Sequence, residues 1–162
     1  IPSVMTEQVG LAPEHHAWMY LATLCAAIPG IAILVRRRRE LEDPRPLLAL
    51  TVLLTVAGLT VAVWAVSLTT LGLGLVLFFA GFTALETILP ALVSIFAPIS
   101  LRGTAMGIFS SAQFLGVFTG GVLGGGALQL GGAAGLVIVL AGLTGCWLIG
   151  LWRYGRAPAV AV

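Results

Sequence analysis

Residues 71–96 read LGLGLVLFFAGFTALETILPALVSIF, an apolar run with a single formal charge, Glu86. A helix of that length rises about 39 Å, more than the roughly 30 Å of a bilayer's hydrocarbon core. Four further runs of the same character lie at 17–35, 47–66, 104–128 and 133–152, and none contains a formal charge. Each has about the 20 residues that one crossing needs. The reading is an all-α polytopic membrane protein with five transmembrane helices, its solvent the lipid bilayer.

Composition supports it. Of 162 residues 59% are hydrophobic and only 9% charged, and 21 are glycine. Such glycine content fits helices packed closely in a membrane. The chain has no lysine; its cations are Arg36, Arg37, Arg38, Arg39, Arg45, Arg102, Arg153 and Arg156. With the N-terminal segment outside, the first span delivers the loop 36–46 to the inside. Two spans joined by the uncharged turn at 67–70 return the chain inside at the loop 97–103, with Arg102. Two more, joined by the uncharged turn at 129–132, leave the tail 153–162 inside. Every arginine then lies on one face, as the positive-inside rule expects.

The net charge of +2 thus reports orientation and contact with anionic head groups. Arg36, Arg37, Arg38 and Arg39 follow directly on a span and precede Glu40, Glu42 and Asp43. They read as cytoplasmic anchors, with Arg102, and no nucleic-acid partner is expected. Cys25 and Cys146 fall inside spans and read as small packing residues. Ile1 is not a natural start, and residues 1–5 look like the end of a preceding helix, with an external loop to 16. The sequence is therefore expected to be a fragment.

Chemistry concentrates in two spans. Elsewhere, Thr51, Thr55, Cys25 and Thr144 can bond a carbonyl one turn back. In 71–96, however, Phe79, Thr83, Glu86, Thr87 and Pro90 fall at helical spacing on one face. An ionisable group at mid-membrane costs about 2.5–3.5 kcal/mol on insertion scales and usually faces a bundle interior or aqueous cavity. Pro90 removes a backbone hydrogen bond and can kink the helix. In 104–128, Gly116, Gly120 and Gly124 recur every fourth residue with Gly121 and Gly125 beside them, a face stripped for close helix packing. Glu86 lies about ten residues before the inner end of its span and Gln113 about ten after the inner start of the next. Both sit about 15 Å deep, so a Gln113–Glu86 hydrogen bond is geometrically possible.

With those residues in view, 81–107, GFTALETILPALVSIFAPISLRGTAMG, resembles the tenth span, cytoplasmic loop and start of the eleventh span in bacterial major facilitator superfamily transporters. The continuation 113–125, QFLGVFTGGVLGG, resembles the rest of the eleventh. The order Leu85-Glu86, Leu89-Pro90, Arg102-Gly103-Thr104 and Gln113-Phe114-Leu115-Gly116 is most similar to the drug:proton antiporter-like branch. The resemblance implies that the five spans are helices eight to twelve, most of the C-terminal six-helix bundle, with residues 1–5 ending helix seven. It implies a bacterial inner membrane, a missing N-terminal half, and a cavity site of Glu86, Thr83, Thr87, Phe79 and Gln113. The glycine face would meet the other half or a neighbouring helix. One departure is clear: the family's cytoplasmic glycine–aspartate–arginine motif is not reproduced by 30–39, which has four arginines and no aspartate.

The expected function is secondary active transport: proton-coupled efflux, by antiport, of a small organic solute through alternating access. A membrane sensor or scaffold that keeps the fold without translocation is the alternative, and a five-helix channel with one polar stripe is weaker. No nucleophile–base pair, metal-ligand cluster or phosphate loop is present, so neither an enzyme, a cofactor nor a metal is expected. The threading is testable in a cysteine-free background. A cysteine near Arg39 or Arg153 should resist an impermeant thiol reagent in intact cells, whereas one near Glu14 should label; the reverse pattern would overturn both threading and resemblance.

Overall fold

In the computed structural model the described residues are 6, 12–40 and 43–155, without the side chains of Pro13, Arg39, Glu40 and Tyr154. The expected end of a helix at 1–5, the basic side chain of Arg39 and the tail beyond Gly155 lie outside them. All regular structure described is helical: α1 His16–Glu40, α2 Arg45–Val63, α3 Leu68–Phe96 and α4 Arg102–Tyr154. Single 3₁₀ turns, Pro13–His15 and Ile99–Leu101, precede α1 and α4. By length and composition all four helices can cross a membrane. The chain divides into two compact units, Ile1–Leu85 and Glu86–Val162, with α3 continuing through the division.

In the first unit α1 runs on past the expected end at 35, so that Arg36, Arg37 and Arg38 lie on helix rather than loop. Arginine is a good helix former, its stem can lie along apolar surface, and cations suit a helix C-terminus. The start of α2 is set by Asp43, whose Oδ1 accepts the backbone N–H of Arg45 at 3.0 Å. The Arg45 guanidinium closes on the same carboxylate, with Nη2 to Oδ2 at 2.8 Å. Hydrogen bonds from the Arg45 side chain first, and then from its backbone, hold the Asp43 carboxyl below the usual carboxylate range. This clamp is therefore present at neutral pH and is lost as the pH falls through the lowered value. At the other end of α2 a tight turn leads into α3, opened by reciprocal bonds: Ser67 Oγ accepts from Thr70 N, and Thr70 Oγ1 from Ser67 N, both at 3.2 Å. This is a capping box with threonine in the reaching-back position. It moves the start of α3 from the expected 71 to Leu68.

The core of this unit is Ala62, Ala65, Leu71 and Leu75, with Met19, Tyr20 and Phe79 packed on it. Its tightest contact is between the backbones of α2 and α3. A Cβ on Gly81 would lie 2.5 Å from the Thr51 carbonyl oxygen and 2.7 Å from Thr55 N. One on Gly74 would lie 2.7 Å from Ala62 N, and one on Gly58 would overlap Phe78 N. Only hydrogen fits at these three positions. Between membrane helices, where lipid is as apolar as leucine, this close van der Waals fit replaces the hydrophobic drive of a soluble core.

In the second unit, α4 has 53 residues and as a straight rod would reach about 80 Å. It is not straight. At Gly132 the backbone takes φ 57°, ψ −151°, a conformation outside the helix that only glycine adopts readily. A Cβ on Gly135 would meet the Ala127 carbonyl oxygen at 2.6 Å, and one on Gly124 would meet Leu136 Cδ1 at 3.5 Å. Along a straight helix those pairs would be about 12 and 18 Å apart, so the chain doubles back at Gly132. The runs read as 104–128 and 133–152 are thus the two arms of one helical element, folded against each other.

The seam predicts a contrast. Gly81→Leu, which must displace backbone atoms, should lower unfolding stability in detergent by about 1–3 kcal/mol or more. Gly120→Leu, whose Cβ meets nothing within 4 Å among the described residues, should change this chain's own stability by less than about 0.5 kcal/mol. Equal loss in both would refute the seam.

Candidate functional site

Glu86 and Gln113 belong to the second unit, on α3 and α4. The link between those helices is short because Pro98, at φ −53°, ψ 143°, breaks helical geometry after Phe96 and the 3₁₀ turn Ile99–Leu101 feeds straight into Arg102. Leu101 N donates to the Pro98 carbonyl at 2.9 Å to close that turn. Arg102, expected on a loop, therefore opens α4. Glu86 lies ten residues before Phe96 and Gln113 eleven after Arg102, so both are about 15 Å from the connection. At this shared depth Gln113 Nε2 donates to Glu86 Oε1 at 2.7 Å. The distance is that of a well-formed N–H···O hydrogen bond.

Glu86 and its neighbour Thr87 are exposed on the chain, and Gln113 is half-buried. The remaining residues of the expected cavity face, Phe79 and Thr83, fall in the first unit. There the Phe79 ring meets Tyr20 and Phe78 edge-on, at centroid distances of 6.4 and 5.4 Å, and contributes to the core. Thr83 is half-buried. Pro90 sits within α3, which remains helical across it.

The glycine face of α4 is open. Gly116, Gly120, Gly121 and Gly125 are exposed with nothing within 4 Å of an added Cβ among the described residues; Gly124 alone touches the second arm. Phe114, Val117 and Phe118 beside it are exposed as well. Of the basic residues, Arg36, Arg37 and Arg102 are exposed and Arg38 is half-buried. Among the described residues no three His, Cys, Asp or Glu side chains are grouped as a metal ion would require.

Sequence reasoning missed the seam of Gly58, Gly74 and Gly81. Its signal was available: Thr51, Thr55, Gly58 and Ala62 are small residues spaced 4, 3 and 4 apart, and Gly74 and Gly81 lie two turns apart. The threonine hydroxyls do turn back, as their sequence suggests: Thr51 Oγ1 donates to the Leu48 carbonyl at 2.9 Å and Thr55 Oγ1 to that of Thr51 at 2.8 Å.

Among the described residues, four helices that can each cross a bilayer by length and composition, two of them joined by a carboxylate–amide pair, fit a multi-pass membrane protein. Its known relatives carry transport names. The inner membrane transport protein YajR of Escherichia coli (strain K12) is 31% identical over 140 residues, which is 86% of this chain and 31% of that protein. An uncharacterized transporter of Buchnera aphidicola subsp. Baizongia pistaciae (strain Bp) is 53% identical over 53 residues, 33% of this chain and 14% of that protein. The chain thus spans less than a third of the length of these curated relatives. No family model matches it, and no solved structure does.

The hydrogen bond itself can be measured. Among membrane helices such bonds couple by about 0.6 kcal/mol on average and up to about 1.7. A double-mutant cycle with Glu86→Ala and Gln113→Ala, followed by unfolding in detergent, should give a coupling in that range. Strict additivity would remove the pair.

Proposed function

We propose that this chain is part of a secondary active transporter of the major facilitator superfamily, contributing five spans of its C-terminal bundle. The first three spans are α1, α2 and α3. The last two are the arms of α4, divided at Gly132. The transport names of the two relatives support the general reading. The observation that carries the finer one is the Glu86–Gln113 hydrogen bond at mid-depth.

In this reading Glu86 is the proton-coupling group and Gln113 its partner in both states. A glutamine amide is donor and acceptor at once. Its NH₂ bonds the carboxylate, and its carbonyl oxygen can accept from the protonated acid after a rotation. The carboxyl can thus take a proton on one side and release it on the other without losing its neighbour. Thr87, the next residue on α3, adds a hydroxyl to the same unit. Alternating access brings the site to each side of the bacterial inner membrane in turn. The apolar spans hold no arginine in this part of the protein, which favours a neutral or cationic apolar solute, exported in exchange for protons. The remaining half of the transporter supplies the rest of the site and packs on the open face of Gly116, Gly120 and Gly121. Arg36, Arg37, Arg38, Arg39 and Arg102 anchor the cytoplasmic side.

Glu86→Gln keeps shape and hydrogen bonding but cannot change charge. In the longer protein that carries this chain, it should abolish efflux of a lipophilic cation such as ethidium, and the accompanying proton flux into proteoliposomes, while leaving expression and helicity intact. Efflux with wild-type rate and pH dependence in this variant would falsify the coupling role and return Glu86 to a structural part. Absence of any proton-driven flux in the parent protein would favour a scaffold that keeps the fold.

A further inference from the structure

Two cavities in the first unit lie along α1 and share Ile33 and Leu34. The first, about 310 Å³, is bounded by Ala26, Gly30, Leu54 and Ala80 among others and has only apolar side chains in its wall. The second, about 390 Å³, lies between the end of α1 and the start of α2, against Pro46, Leu47 and Leu50, and has one charged side chain in its wall, Arg37. They adjoin at these two residues and together line α1 from Ala26 to Arg37, a stretch we treat as one groove. The eleven residue-to-residue steps from Ala26 to Arg37 make it about 16 Å long, half of a hydrocarbon core about 30 Å thick, which is one leaflet. We propose that this groove seats an acyl chain of an anionic phospholipid whose headgroup phosphate is held by Arg37.

Charge and shape both select that ligand. Arg45, at the same end of the helices, is already occupied by Asp43, whereas Arg37 is exposed and pairs with no described carboxylate. Arg36 and Arg38 flank it and raise the local positive potential, which draws anionic lipid to a juxtamembrane surface. A free phosphate would leave the apolar length of the groove unused. A helix is 10–12 Å across with its side chains, too wide for cavities of this size, whereas an acyl chain is a single file of methylenes.

The test uses the intact protein carrying this chain, purified in detergent and offered equal amounts of phosphatidylglycerol and phosphatidylcholine, with retained lipid counted by native mass spectrometry. Phosphatidylglycerol should be retained in preference. Arg37→Gln should weaken its retention about fivefold, the loss expected for one arginine near an anionic headgroup, and Arg36→Gln less than twofold. Ile33 is 60% exposed, so Ile33→Trp should block the groove without disturbing the core, and retention of both lipids should fall with circular dichroism unchanged. Soluble glycerol phosphate should not displace the lipid. Equal retention of the two lipids, equal losses in the two arginine variants, or displacement by glycerol phosphate overturns the proposal. If Ile33→Trp does not fold, the two arginine variants decide it.

Discussion

Hydrocarbon offers no hydrogen-bonding partner, and that constraint governs each polar side chain in these spans. The threonines meet it locally. Thr23, Thr51, Thr55, Thr60 and Thr119 all donate to a carbonyl three or four residues back on their own helix. A carboxylate cannot do the same. It only accepts, and an N–H in the middle of a helix is already committed to the carbonyl four residues back. Glu86 draws its donor from another helix, where Gln113 on α4 supplies it. The polar pair follows from the chemistry of an acid placed where water is scarce.

Packing follows from the same solvent. Lipid gives two apolar helices no reason to leave it for each other, so association depends on fit. Gly58, Gly74 and Gly81 bring α2 and α3 to backbone contact, and the capping pair of Ser67 and Thr70 fixes the turn from which that register runs. Leu71 and Leu75, just beyond the turn, are then fully enclosed. The glycines of α4 have the opposite surroundings. Gly116, Gly120, Gly121 and Gly125 face open space among the described residues, although they belong to the same residue type at the same kind of spacing.

That difference marks where the sequence was legible. Apolar length marked the chain as helices able to cross a membrane, because the need to cross about 30 Å is written directly in composition. Depth counted from span ends brought Glu86 and Gln113 together, because rise per residue is fixed. The uncharged turn at 129–132 was legible too, although its tight form depends on the unusual backbone of Gly132. Which glycines touch a partner was not legible. Spacing defines a face, but what lies opposite depends on helix rotation and pairing, which one strand of sequence does not encode. The same limit hid the role of Asp43: it read as one of three acids after an arginine run, yet its bonds to Arg45 start α2. Phe79 likewise shares the helical face of Glu86 by spacing but contributes to the core of the first unit.

The open glycine face and the polar pair are linked on α4. Gln113, Gly116 and Gly120 lie at intervals of three and four, so they share one side of the helix. A partner helix packed on those glycines would approach the backbone closely, and its neighbouring turn would lie beside the Gln113 amide. Its presence would exclude water from Glu86; its withdrawal would admit water. In the proposed transporter that coupling gives rigid-body motion a chemical consequence. One half moving against the bare face of α4 changes the surroundings of the acid, and protonation of the acid changes which arrangement is favoured. Neither effect requires Glu86 or Gln113 to move far, because the glycine face lets the partner come near enough for a small displacement to decide whether the carboxyl is wet or dry.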